Sequence, residues 1–80
     1  MSRLPRVSGR EAVRAFEKAG WQVIPRRGKG DHMVLRKPGN PNVLSIPDHP
    51  LLGPGLLRSL IRLSGLTVEE FLPSSNRLAT

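Results

Sequence analysis

The sequence contains no cysteine and only two histidines among its 80 residues. The missing thiols exclude disulfide bonds, a thiolate zinc site and a cysteine nucleophile. The chain also lacks any apolar run near the roughly 20 residues that a membrane-spanning helix needs, and its charged first twenty residues do not fit a secretory signal. We therefore expect a soluble, cytoplasmic protein that requires no cofactor and binds no membrane.

Length and charge indicate the number of domains and the class of binding partner. Eighty residues suffice for one domain with a single core, which we expect over residues 1–72, with a flexible C-terminal tail at 73–80. The net charge is +7, and its excess lies entirely in residues 1–40. This asymmetry favours a polyanionic partner such as RNA, although a surface charged only for solubility would have the same composition.

The first predicted helix covers about residues 9–19. Ser8 and Glu11 have the spacing of a capping box, and Gly20 is suited to the left-handed residue that ends a helix.

Basic side chains recur along this helix. Arg10, Arg14 and Lys18 are spaced i, i+4, i+8 and should form one basic stripe, with Glu11 and Glu17 off it. The stripe is a candidate RNA or partner contact, and an ordinary solvated face is the alternative.

Three short segments rich in β-forming residues predict an antiparallel three-stranded meander. The predicted strands cover residues 21–24, 32–37 and 43–46, and the hairpin loops cover 26–30 and 38–42. Alternation places Met33 and Leu35 on one face of the second strand, and His32, Val34 and Arg36 on the other. Two helices cover only one face of such a sheet, so the second face should be open and Arg36 is a candidate RNA contact.

A strongly apolar second helix should begin at Pro54 and end at Gly65. Thr67 and Glu70 repeat the capping-box spacing and predict a short last helix that Pro73 stops. The resulting α+β order, α-β-β-β-α with a short C-terminal helix, is that of double-stranded-RNA-binding domains, which pack two helices on one face of a three-stranded sheet.

The first hairpin loop carries the residues best suited to chemistry. Arg26, Arg27, Lys29 and Gly30 combine cations with accessible backbone N–H groups for a phosphate, and the loop leads into His32. An imidazole can take the proton of a ribose 2′-hydroxyl, while nearby cations stabilise the charge that develops on phosphorus. His32 is therefore a candidate general base, with Lys29 and Arg27 as electrostatic stabilisers, and a plain surface histidine is the alternative.

The second histidine, His49, follows the third predicted strand. It could bind RNA or line the same cleft, but a structural role in a turn is favoured. Each histidine follows an aspartate, Asp31 or Asp48, yet the two pairs lie in different loops without ligand periodicity, so we predict no metal site.

Several short motifs occur in the order and spacing of one known family. They are Ser8-Gly9-Arg10-Glu11, Ala19-Gly20-Trp21, Gly30-Asp31-His32, Ile46-Pro47-Asp48-His49, residues 53–57, and Ser64-Gly65-Leu66-Thr67 through Phe71-Leu72. Over about residues 4–72 the sequence therefore resembles the HicA toxins. The resemblance implies a small ribonuclease of a type II toxin–antitoxin system that cuts messenger RNA and is silenced in a hetero-oligomer with a HicB-like antitoxin.

The resemblance also implies site residues. The family's catalytic histidine, in a glycine–x–histidine element, falls on His32, with the glycine at Gly30. The family usually has serine between them, whereas this chain has Asp31, a carboxylate that would oppose phosphate binding. An aromatic residue often follows the histidine, and Met33 replaces it here. A HicB-like antitoxin would be expected to cover His32 and the basic face.

Two other functions are compatible with the residues. A non-catalytic module could hold structured RNA through the same basic face without cutting it. A protein-interaction domain could instead dock an acidic partner on that face and would not bind RNA at physiological salt.

Overall fold

A computed structural model describes residues 4–25 and 32–75. In chain order the elements are α1 (Gly9–Lys18), β1 (Gln22–Val23), β2 (His32–Lys37), β3 (Asn40–Pro47), α2 (Pro54–Ser64) and α3 (Val68–Ser75). The strands form one antiparallel sheet in the order β1-β2-β3. The predicted α+β class and the α-β-β-β-α layout of a double-stranded-RNA-binding domain are confirmed.

The start of α1 is fixed by the predicted capping box. The Glu11 N–H donates to the Ser8 hydroxyl oxygen (3.1 Å), and the Ser8 N–H donates to a Glu11 carboxylate oxygen (2.8 Å). These two bonds satisfy donors that a helix start otherwise leaves without partners. At the other end, Gly20 has a φ of 104° and takes the predicted left-handed conformation.

The sheet has the two faces that alternation predicts. Leu35 pairs with Leu44 and both are buried, whereas His32 and Arg36 are exposed. The helices pack on the face that carries Leu35, and their apolar residues join the sheet in one core cluster. The open face therefore carries His32 and Arg36 toward solvent.

Two strand boundaries differ from the prediction. The strand β1 is only two residues long, with Trp21 buried just before it. The strand β3 is longer than predicted, because a two-residue turn at Pro38 and Gly39 replaces the expected five-residue loop. Gly39 takes a φ of 84°, which lets Asn40 pair at once with Lys37. The other predicted loop, residues 26–30, lies outside the described residues.

The core joins all three helices to the sheet. Phe16 of α1 and Phe71 of α3 are both fully buried, with ring centroids 5.0 Å apart and a tilt of 49° between the rings. Such an aromatic pair stabilises packing beyond the area it buries. The other large side chains that are buried almost completely are Trp21, Leu35, Leu44, Ile46 and Leu57. The last helix thus closes the core rather than extending away from it.

The last helix begins as predicted and ends later. Thr67 and Glu70 form a reciprocal capping box, with bonds of 2.8 and 3.0 Å. The prediction that Pro73 stops the helix is wrong, because the helix runs to Ser75. Pro73 is its sixth residue, so the missing N–H removes a single bond near the helix end. Residues 76–80 lie outside the described residues, and the flexible tail stays a prediction.

No helix in the described part of the chain combines the length and apolar character that a membrane span needs.

A close backbone approach joins the start of α1 to the end of β3. The Gly9 N–H donates to the His49 carbonyl oxygen, and the Leu52 N–H donates to the Val7 carbonyl oxygen, both at 2.9 Å. A β-carbon on Gly9 would overlap the carbonyl oxygen of Pro47. Only glycine allows the two backbones to lie this close.

We expect Gly9→Ala to lower the free energy of unfolding by about 2–3 kcal/mol, because the added methyl group can be accommodated only by a backbone shift. Gly55→Ala is the matched control, since the β-carbon there would meet nothing within 4 Å and alanine favours the helix. Urea denaturation followed by circular dichroism compares the variants. Equal midpoints for the two would contradict the role assigned to the close approach.

Candidate functional site

An open cleft of about 450 Å³ lies between α1, the start of β2 and the residue that follows β3. Its lining residues are Arg10, Val13, Arg14, Glu17, His32, Met33 and Asp48. The cleft therefore brings together the predicted catalytic histidine and two of the three arginine and lysine side chains of the predicted basic stripe. Sequence spacing alone does not bring these segments to one place.

His32 is the first residue of β2 and pairs in register with Pro47 of β3. Its side chain is exposed, and Met33 beside it is partly buried against the core. The strand fixes the backbone of His32, while the residue stays exposed where it lines the cleft. This arrangement suits a general base, which must reach a proton on a bound substrate.

An ion pair forms one wall of the cleft. The Arg10 Nε donates to both carboxylate oxygens of Asp48 (3.2 and 3.3 Å), and Nη2 donates to one of them (3.2 Å). The hydrogen bonds to Asp48 and, second, its negative charge raise the pKa of Arg10. The Arg10 side chain is 74% exposed, and its guanidinium is charged at physiological pH whether or not it is paired.

The position of Asp48 follows from the backbone contacts at the start of α1. Asp48 lies between Pro47, whose carbonyl lies against Gly9, and His49, whose carbonyl accepts the Gly9 N–H. Arg10 is the next residue along the chain from Gly9. The close approach of the two backbones therefore brings Asp48 within reach of Arg10.

Only part of the predicted basic stripe on α1 lines the cleft. At about 100° per residue, Glu17 lies about 20° from Arg10 around the helix axis, whereas Lys18 lies about 80° away on the other side. Glu17 accordingly lines the cleft beside Arg10 and Arg14, and Lys18 does not. Glu17 therefore shares the cleft with Arg10 and Arg14, which the i, i+3, i+4, i+7 spacing of the four α1 residues in the cleft could have indicated.

The charges of the described lining residues cancel when His32 is neutral. Arg10 and Arg14 contribute two positive charges, and Glu17 and Asp48 contribute two negative ones. The excess of cations in the first half of the sequence is therefore not concentrated in this part of the cleft. Attraction of a polyanion must depend on cations outside these residues.

The remaining candidates lie elsewhere. Arg36 is exposed on the open face of the sheet, four residues along β2 from His32, and does not line the cleft. Arg26, Arg27, Lys29 and Gly30 lie outside the described residues, as does Asp31. Their roles stay predictions.

His49 contributes its backbone rather than its side chain to the described contacts. Its carbonyl oxygen accepts the Gly9 N–H, its side chain is exposed, and the residue does not line the cleft. The structural role of His49 in a turn stays a prediction.

We expect Arg10→Ala and Asp48→Asn to unfold at nearly the wild-type urea concentration. Ion pairs this exposed contribute little to stability, and the loop after β3 is held to α1 through backbone hydrogen bonds. Urea denaturation of both variants beside Gly9→Ala checks this. A loss as large as that of Gly9→Ala would show that the ion pair holds the loop.

The comparison with known families supports the resemblance that the motifs indicate. The model described as the HicA toxin of bacterial toxin–antitoxin matches residues 9–66, which include α1, all three strands and α2. No curated protein matches the sequence significantly. The matched segment spans well over half of the chain and contains all seven lining residues of the cleft. The chain therefore belongs to the HicA toxin family of bacterial toxin–antitoxin systems.

Proposed function

We propose that this HicA-family toxin is a metal-independent endoribonuclease that cleaves messenger RNA, with His32 as the catalytic base. The observation that supports this most is the cleft itself, whose lining residues include the exposed His32 together with Arg10 and Arg14. An imidazole can act as the base in cleavage through the ribose 2′-hydroxyl, and guanidinium groups can stabilise the charge that develops on the phosphate.

The proposed reaction begins when His32 takes the proton from a 2′-hydroxyl. The 2′-oxygen then attacks the adjacent phosphorus, the bond from phosphorus to the 5′-oxygen breaks, and the 5′-oxygen takes up a proton. The products are a 2′,3′-cyclic phosphate and a 5′-hydroxyl. Cations beside the phosphate stabilise the additional charge of the five-coordinate transition state.

Several basic residues are proposed to supply that charge and to hold the RNA. Within the cleft they are Arg10 and Arg14. Lys29 and Arg27, in the loop before His32, are the proposed electrostatic stabilisers. The other proposed RNA contacts are Lys18, Arg26, Gly30 and Arg36. Because the two arginines and the two carboxylates in the described part of the cleft balance each other, the loop cations should contribute strongly to affinity.

A HicB-like antitoxin is the proposed protein partner. The cleft is open, so a protein that covers α1 and the start of β2 would exclude RNA from His32. Acidic groups on such a partner would complement the +7 charge of the toxin and make the association fast and sensitive to salt.

We expect His32→Ala to lower the cleavage rate by about 100-fold or more, because a general base is lost. Purified wild type, His32→Ala and His49→Ala are incubated with a long messenger RNA in EDTA, and the products are resolved on a denaturing gel with end-group analysis. His49→Ala should retain most of the activity, because its side chain does not line the cleft.

Undiminished cleavage by His32→Ala would end the assignment of the base. Intact RNA in all lanes, together with a gel shift, would instead indicate a non-catalytic RNA-binding module. Intact RNA without a gel shift would indicate a protein-interaction domain that does not bind RNA.

We expect the cognate antitoxin to stop cleavage when added in stoichiometric amounts, because it would cover the cleft. The measurement is the cleavage rate against antitoxin concentration at low and high salt, with binding followed in parallel. Complex formation that leaves the rate unchanged would contradict inhibition by occlusion.

A further inference from the structure

The ion pair between Arg10 and Asp48 is unusual in its position rather than in its strength. It lies in the wall of the cleft that contains His32. With 74% of the Arg10 side chain exposed, the pair adds little to stability. Its location points to a role in the cleft.

The geometry leaves half of the guanidinium free. Asp48 occupies the edge of Arg10 that carries Nε and Nη2, through bonds of 3.2 to 3.3 Å. A guanidinium has five N–H donors, so both donors of Nη1 and the second donor of Nη2 remain. Within the described part of the chain no other acceptor bonds Arg10. The free donors form a second planar fork, which matches two oxygens of a phosphate.

The backbone holds both partners of the pair in place. Gly9, the residue before Arg10, is bonded to His49, the residue after Asp48, and lies against Pro47, the residue before it. Pro47 in turn pairs with His32 across the sheet. A short chain of backbone contacts therefore connects the ion pair to the proposed catalytic base. An exposed arginine would otherwise sample many rotamers, and Asp48 removes that freedom before a ligand binds.

We propose that Asp48 is a positioning residue for the RNA cleavage: it holds one edge of Arg10 so that the other edge binds a phosphodiester oxygen beside His32. This inference rests on the proposed function and names the group that would orient the substrate phosphate. Arg14, one turn further along α1 on the same wall, supplies a second cation to the same strand of RNA.

A competing role would have the opposite effect on activity. Asp48 could act only as a negative charge that occupies Arg10 and repels phosphate, and its removal would then strengthen RNA binding and favour cleavage. Glu17 provides the control for this effect, because it lines the same cleft with the same charge and forms no hydrogen bond to Arg10. Asp48→Asn and Glu17→Gln thus remove one negative charge each, but only the first changes the ion pair.

The test compares wild type, Asp48→Asn, Glu17→Gln, Arg10→Ala and the Arg10→Ala/Asp48→Asn double variant on a short single-stranded RNA of fixed sequence. We expect Asp48→Asn to lower kcat about tenfold and Arg10→Ala to lower it about 100-fold, since one loses orientation and the other the donor itself. Glu17→Gln should lower KM without a loss in kcat. In the Arg10→Ala background, Asp48→Asn should cause no further loss, because the group it positions is absent.

Two outcomes would overturn the proposal. One is an Asp48→Asn variant that behaves like Glu17→Gln, with a lower KM and an undiminished kcat. The other is a double variant whose loss is the product of the two single losses, which would show that the residues act independently. A spectroscopic signature separates positioning from folding: the Arg10 Nε–H signal in a proton–nitrogen spectrum should be sharp in wild type and Glu17→Gln and broadened in Asp48→Asn.

A binding assay with an RNA that cannot be cleaved tests the role of Asp48 independently of the proposed cleavage activity. This RNA carries 2′-O-methyl groups throughout. If wild type does not cleave RNA, the proposed function fails, and anisotropy of the labelled methylated RNA still decides the role of Asp48. Weaker binding by Asp48→Asn with tighter binding by Glu17→Gln would support positioning. Tighter binding by both would overturn it.

Discussion

The contact between the first residue of α1 and the last residue of β3 is the constraint on which the described site depends. Gly9 lies so close to the Pro47 carbonyl that no side chain fits between the two backbones, and its N–H is bonded to His49. This places α1 beside the end of the sheet where β2 begins. The cleft, the ion pair in its wall and the position of His32 relative to α1 all follow from that approach.

The hydrophobic core holds α1 in a fixed position against the sheet. Phe16 and Phe71 pack together at full burial, and Leu35 and Leu44 complete the same cluster from the sheet. Interiors packed in this way change shape little, so a helix held against the sheet by its apolar face presents its polar face at a fixed position. Arg10 and Arg14 are therefore held beside His32 by the apolar residues on the opposite side of α1.

The charges in the cleft and the charges on the rest of the surface have different effects on a ligand. The described part of the cleft balances two guanidinium groups with two carboxylates, which favours orientation of a ligand over general attraction. The excess positive charge lies elsewhere in the first half of the sequence. Long-range attraction depends on the sum of these charges, whereas a directed phosphate contact depends on the orientation of individual donors. In this protein the two effects involve different residues: Asp48 orients Arg10 for a directed contact, and cations outside the described part of the cleft provide the long-range attraction.

The sequence alone determined the elements and their order, because capping boxes, terminal glycines and strand alternation act between neighbours in the chain. Ser8 and Glu11, Thr67 and Glu70, and Gly65 at the end of α2 are local signals of this kind. The motifs also indicated the family, and His32 as its histidine. The same local reasoning failed at Pro73, which lies near enough to the end of α3 to cost a single hydrogen bond, and in the turn before β3, where strand pairing begins at Asn40.

Only the tertiary structure decided which side chains share the cleft. Asp48 and Arg10 are 38 residues apart, and neither their spacing nor the composition of their segments predicts that they meet. Local spacing also did not predict that Glu17 shares the cleft with Arg10 and Arg14, since the way α1 lies on the sheet is set by the burial of Ala12, Val13 and Phe16. Contacts between distant segments depend on how whole elements pack. The residues that determine this packing lie throughout the core and not at the site itself.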